Sequence, residues 1–166
     1  NFGDYKYANE LVTALKKIAN FEISVAAYPE KHPEARNLDE DIDNLKKKID
    51  AGANQIITQF FFENKYFYEF INKARQKNIN IPIIPGILPI HDINQVQNFA
   101  KRCGSSVPDS IVKQYHFNKN HLTISKNITT KQCQDLYDND IRDFHFYSLN
   151  KADLLLDICK ELNFYE

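Results

Sequence analysis

Stretches with a helical repeat alternate along the chain with short apolar runs. Leu11, Leu15 and Ile18 fall at helical spacing within residues 7–18, and the run from Phe21 to Tyr28 is rich in Ile, Val and Ala. A helix followed by a buried strand is predicted. Asn37 is placed to cap a second helix, with Glu40 as its capping-box partner, Asp39 and Asp41 in the first turn, and Lys46, Lys47 and Lys48 near the C-terminal end. Gly52 supplies a left-handed stop, after which Gln55 to Phe62 is again short and apolar. Phe67, Phe70, Ile71 and Ala74 trace a third helical stripe. Ile81-Pro82-Ile83-Ile84-Pro85 reads as a buried strand ending in a turn at Gly86, with Pro82 suited only to the start of that strand or a bulge. Val96 and Phe99 point inward on a helix spanning Ile93 to Lys101. From Gly104 to about Lys126 the pattern is weak, and Tyr115 to Asp140 is polar and irregular, apart from a helical segment near Thr130 to Tyr137. Phe144-His145-Phe146-Tyr147 forms a fourth strand, and Leu154, Leu155, Ile158 and Leu162 mark a last helix.

Strands alternating with helices of this length imply parallel β/α units joined by right-handed crossovers. An eight-stranded barrel takes about 250 residues, so four strands in 166 residues suit either a small open sheet or about the last four units of a (β/α)8 TIM barrel, as a single domain over residues 1–166. The chain holds no methionine and does not open on a translation start, which favours the half barrel.

A formal charge of −1, from 21 basic and 22 acidic side chains, gives no excess of positive charge for holding a polyanion, so nucleic acid is not expected as a partner. No apolar run approaches the length of about 18 residues that crosses a bilayer, and no signal-peptide pattern opens the chain. A cytoplasmic protein without membrane association is expected. Cys103, Cys133 and Cys159, an odd number at spacings of no metal motif, are expected as free thiols. His91 and His145 belong to no cluster with metal-ligand spacing, and no metal is expected.

In a β/α barrel the chemistry sits where each strand stops. The four runs stop in Ala26-Ala27-Tyr28-Pro29-Glu30-Lys31-His32-Pro33-Glu34-Ala35, Ile57-Thr58-Gln59-Phe60-Phe61-Phe62, Ile84-Pro85-Gly86-Ile87-Leu88-Pro89 and Phe144-His145-Phe146-Tyr147-Ser148-Leu149-Asn150-Lys151, with Asp50-Ala51-Gly52-Ala53-Asn54 before the second. Taken in this order the segments resemble methylenetetrahydrofolate reductase, a flavin enzyme that reduces methylenetetrahydrofolate to methyltetrahydrofolate. The resemblance runs along nearly the whole chain but over only the C-terminal half, or slightly more, of the family's catalytic barrel. It implies FAD as cofactor and NADH or NADPH as donor, used in ping-pong order at one shared site, in a homo-oligomer when intact, feeding methionine synthesis. The family's catalytic glutamate and flavin-tuning aspartate would both lie before Asn1. The resemblance therefore implies no catalytic residue in this chain and no turnover by the 166 residues alone.

The resemblance further places FAD contacts on Tyr7, Ala8, Tyr28, His32, Asp41, Asn44 and Lys48. Positions 41, 44 and 48 share one helix stripe, where acid, amide and amine suit ribityl hydroxyls and a diphosphate; taken on its own, such a stripe also describes a solvated helix face. Folate contacts are implied at Gln59, Gln95 and Lys151, where many relatives carry arginine, and Phe99 offers a ring to stack on pterin or nicotinamide. From the residues alone, Gln59 is equally an amide satisfied by strand backbone, Phe99 a core residue, and Gln95 and Lys151 solvated surface. Two other readings remain: a degenerate or partner-dependent flavin- or folate-binding half barrel without activity, and a small flavodoxin-like binder.

Overall fold

In the computed structural model, which describes residues 4–163, the chain forms four parallel strands in the order β1-β2-β3-β4 with seven helices. The strands are β1 (Ser24–Ala27), β2 (Gln55–Phe60), β3 (Ile83–Ile87) and β4 (His145–Phe146). The helices are α1 (Ala8–Ile18), α2 (Leu38–Asp50), α3 (Asn64–Gln76), α4 (Ile93–Cys103), α5 (Asp109–Phe117), α6 (His121–Asp138) and α7 (Ala152–Leu162). Sequential parallel neighbours, each reached through helix, are the order expected of consecutive barrel units.

Local chemistry accounts for the element ends. The Asn37 side chain accepts a hydrogen bond from Glu40 N at 2.9 Å, as the cap requires. The box is not reciprocal, however, because Glu40 turns to Arg36, accepting from its backbone N at 2.7 Å and from its guanidinium at 3.1 Å. Gly52 follows α2 at φ +116°, the stop expected of it. Asp92 caps α4 by accepting from Asn94 N at 2.8 Å and Gln95 N at 3.1 Å.

The strands, expected to be buried, are buried on one face only. Val25 and Ala27 of β1 and Ile56 of β2 sit in one apolar cluster with Val12 of α1, Ile42 and Leu45 of α2, Phe67 of α3, Leu136 of α6 and Ile158 of α7. Their neighbours Ser24 and Ala26 are exposed, and Gln55, Ile57 and Gln59 are half-buried, because helices cover one face of the sheet and the other stays open. A second cluster, at the C-terminal end of the sheet, joins Phe60, Phe62, Leu88 and Ile90 to Val96 of α4 and Tyr115 of α5.

Three further expectations are corrected. β3 does not end before Gly86 but runs through it to Ile87. The pairing of β2 with β3 jumps from Ile57↔Ile84 to Phe60↔Gly86, so Pro85, which lacks an N–H, stands at an irregularity where no ladder bond is asked of it. The weak stretch after Gly104 is helical, forming α5 and the 18-residue α6. Its buried stripe includes Ser125, Thr129 and Cys133 beside Ile124 and Leu136, too polar to stand out as an apolar period. In α1 it is Val12 that is buried, while Leu11 and Ile18 are exposed.

Candidate functional site

Among the cavities that the described residues line, two at the C-terminal end of the sheet gather the residues expected at ligands. The first, about 560 Å³, lies between the N-terminus of α1, the loop after β1 and the flank of α2. Tyr7, Ala8, His32, Asp41, Asn44 and Lys48, six of the seven residues expected at a flavin, line it together. The seventh, Tyr28, is not in the lining and instead meets the His32 ring edge-on, with centroids 4.6 Å apart. The helical stripe is the reason for this convergence: 41, 44 and 48 project from one side of α2, toward the loop that follows β1.

Asp41 organises that loop. Its carboxylate accepts a hydrogen bond from His32 N at 2.8 Å, and burial pushes its pKa above the ordinary carboxylate value, against the opposing pull of His32 and Lys48. Burial likewise holds Lys48 below the usual lysine value, and its Nζ donates to Ala26 O at 2.7 Å, tying α2 to β1. His32 Nδ1 accepts from Glu34 N at 3.2 Å, which leaves Nε2 as the ring nitrogen free to donate. Lys47 Nζ donates to Asn44 Oδ1 at 2.8 Å, so the Asn44 amino group keeps its hydrogens for a ligand. The cavity wall thus offers ammonium groups on Lys6, Lys47 and Lys48, carboxylates on Glu34, Glu40 and Asp41, and amides on Asn9 and Asn44, donors and acceptors for hydroxyls with ammonium groups for phosphate oxygens.

The loop after β1 is held from behind by the segment that follows α4. Ser106 N and Oγ donate to the Glu30 carboxylate at 3.0 and 2.6 Å, and Ser105 Oγ donates to Phe60 O at 2.7 Å. Gly104, at φ +72°, passes so close to the loop that a Cβ there would stand 2.7 Å from Lys31 O. The stretch that the hydrophobic pattern left blank therefore buttresses the first cavity.

The second cavity, about 440 Å³, is lined from α4 and from the loops after β3 and β4. Gln95, Phe99 and Lys151 come together there, with His91, Arg102 and Leu149. Phe99 is a third exposed and leans on Phe60, ring centroids 5.2 Å apart. Gln59 does not line this cavity. It lies within the β2 irregularity, half-buried, with Oε1 accepting from Phe60 N at 3.0 Å, so one end of its amide is satisfied by strand backbone. Opposite the irregularity, Thr58 Oγ1 accepts from Gly86 N at 2.9 Å and Tyr147 OH donates to Thr58 O at 3.0 Å.

Residues 1–163 match the family described as Methylenetetrahydrofolate reductase. The chain belongs to the methylenetetrahydrofolate reductase family. It is 46% identical over 157 residues to 5,10-methylenetetrahydrofolate reductase of Buchnera aphidicola subsp. Schizaphis graminum, covering 92% of this chain and 54% of that protein. It is 40% identical over 160 residues to the Escherichia coli K12 protein of the same name, covering 94% and 54%. The chain therefore spans about half the length of these relatives. Among solved structures, an uncharacterized protein from Clostridium thermocellum that binds two copies of 5-methyl-5,6,7,8-tetrahydrofolic acid shares the fold, with a TM-score of 0.62 at 17% identity over 93% of this chain and 58% of that one.

Lys6, Ala35 and Lys47 in the first cavity, and His91 and Arg102 in the second, are not among the ligand contacts expected from the sequence. Lys47 had a signal, lying three residues from Asn44 on the same helix; His91 was weighed only as a metal ligand. His145, by contrast, meets the Tyr147 ring edge-on at 4.7 Å and lines neither cavity. Among the described residues no cluster of His, Cys, Asp or Glu could hold a metal, no helix is long and apolar enough to cross a membrane, and the three cysteines are free.

Proposed function

We propose that the chain is part of an FAD-dependent enzyme that reduces 5,10-methylenetetrahydrofolate to 5-methyltetrahydrofolate with NADH or NADPH, in ping-pong order at one shared site. We also assign the chain to the later half of a catalytic TIM barrel in a cytoplasmic homo-oligomer that feeds methionine synthesis. The observation that carries the reading is that most of the contacts implied by the resemblance line two cavities at one end of the sheet, with Tyr7, Ala8, His32, Asp41, Asn44 and Lys48 in one and Gln95, Phe99 and Lys151 in the other. The folate ligand of the Clostridium thermocellum neighbour supports the substrate class.

The first cavity fits the flavin's tail. Asp41 would accept from ribityl hydroxyls, Lys47 and Asn44 would donate to the diphosphate, and Tyr28 and His32 would stand at the approach from β1. When bound, the flavin supplies the hydride carrier between the nicotinamide and the folate. The residues of the second cavity bind and orient whichever partner is present: Phe99 offers an aromatic face, Gln95 an amide, and Lys151 and Arg102 positive charge. Asp92, the acid in this lining, is committed to its helix cap.

Anaerobic addition of NADH or NADPH to the FAD-loaded protein is expected to bleach the flavin's visible band, and 5-methyltetrahydrofolate to slow that bleaching by occupying the shared site. A protein that retains flavin yet is bleached by neither nicotinamide overturns the reductase reading.

A further inference from the structure

The loop after β1 holds a backbone conformation that L side chains rarely adopt. Lys31 stands at φ +138°, a region in which a residue other than glycine persists only where its surroundings impose it. Gly104 packs against it, so close that a Cβ there would stand 2.7 Å from Lys31 O, and the next amide, His32 N, donates to Asp41 at 2.8 Å. With the backbone pinned in this way, the Lys31 side chain turns back into the loop. Its Nζ donates to Ala35 O at 2.9 Å and to His32 O at 3.3 Å. His32 O also accepts from Ala35 N at 3.0 Å, so a single ammonium closes the turn formed by residues 32–35. Lys31 is half-buried and forms no salt bridge among the described residues. It does not line the first cavity itself, but His32 and Ala35, whose carbonyls it holds, both do.

Resting on the flavin reading of that cavity, we infer that Lys31 is a positioning residue for the cofactor, its ammonium clamping the 32–35 turn in the shape that presents His32 and Ala35 to the cavity. The strained backbone at 31 is the consequence of that clamp. Glycine would adopt the conformation without strain but leave the turn unclamped, and an uncharged side chain would keep the strain without the clamp. The Lys31 charge also favours the ionised form of Asp41, as do His32 and Lys48, so the carboxylate that holds the loop stays an acceptor. The gain for the cofactor is a wall already set before binding, which spares the cost of ordering it on contact.

Three substitutions in the full chain separate clamp from strain. Lys31→Met keeps the stem and removes the charge, Lys31→Arg keeps the charge, and Lys31→Gly relieves the backbone. FAD affinity is read by fluorescence titration, and exchange of the His32 and Ala35 amide hydrogens is read by NMR in the ligand-free protein. Lys31→Met and Lys31→Gly are each expected to weaken FAD binding by about tenfold, the loss of hydrogen bonds from a charged group, and to speed exchange at both amides by at least about tenfold. Lys31→Arg is expected to stay within about threefold of wild type in both readouts. The urea midpoint of ligand-free Lys31→Gly is expected to stay close to that of the wild type, relief of strain offsetting the lost bonds. Equal FAD affinity and equal exchange in wild type and Lys31→Met overturn the clamp. A Lys31→Gly protein whose urea midpoint falls in step with its FAD affinity also overturns it, because that marks a purely structural role. A wild-type chain that binds no FAD overturns the flavin reading, and exchange at the two amides then decides the clamp separately.

Discussion

Asp41 shows how one buried carboxylate couples stability to function. Its pKa stands above the ordinary 3.8 because burial disfavours its charge. The folded chain thus holds that proton to higher pH than the unfolded chain does. Asp41 is neutral toward stability below about pH 3.8 and subtracts from it as pH rises through the raised value. Asp41→Asn keeps an oxygen to accept from His32 N but carries no charge. The ligand-free variant is expected to show the higher urea midpoint near neutral pH, with the gap closing toward pH 4; a gap that widens toward acid contradicts the assignment. Gly86 makes the opposite point, that of a residue fixed by space. A Cβ there would overlap the Thr58 carbonyl oxygen and stand 2.7 Å from the Tyr147 ring, so Gly86→Ala is expected to cost about 1–3 kcal/mol in urea unfolding. The sequence shows Asp41 plainly, since a stripe at i, i+3 and i+7 is local. It cannot show Gly86 as a contact point, because Thr58 and Tyr147 reach it only through strand pairing.

Among the elements, those with a strong apolar period were legible and those whose buried faces carry hydroxyls were not. α3 was readable from Phe67, Phe70 and Ala74, all buried. α6 was not, because Ser125, Thr129 and Cys133 occupy its inner stripe. In that setting the Cys133 thiol is pushed up to about 12, mainly by burial, and is expected to resist alkylation in the native protein. Strand ends were misjudged at β3 for a related reason: Pro85 and Gly86 look like a turn until the shift in β2 pairing supplies a place for them. The segment after α4 has a consequence that no local pattern carries. Glu30 holds Ser106 from the far side of the first cavity, so Glu30→Ala is expected to weaken FAD binding by a factor of about 3–10 without touching the ligand. Replacement by Gln, which can still accept from Ser106, is expected to restore it.

At the scale of the whole molecule, the sheet carries helices on one face, as barrel units do, and leaves Ser24, Ala26, Ile57 and Gln59 along a less covered face. Leu11 and Ile18 on α1, Phe21 before β1 and Leu156 on α7 are exposed. The 166-residue chain is expected to self-associate, with a sedimentation coefficient that rises with concentration, and paired Leu11→Lys and Ile18→Lys substitutions to reduce that rise. Barrel architecture was legible from the alternation of strands and helices; the openness of one sheet face was not, since half-buried Ile57 and fully buried Ile56 look alike in sequence. The central claim is that the flank of α2 and the loop after β1 hold FAD. It is tested most directly by titrating FAD fluorescence with the wild-type chain and with a variant combining Asp41→Ala and Lys47→Ala. Saturable binding by the wild type, weakened at least about tenfold in a variant that keeps its far-ultraviolet circular dichroism, is the predicted result. Equal binding by the two proteins, or none by the wild type, would contradict it.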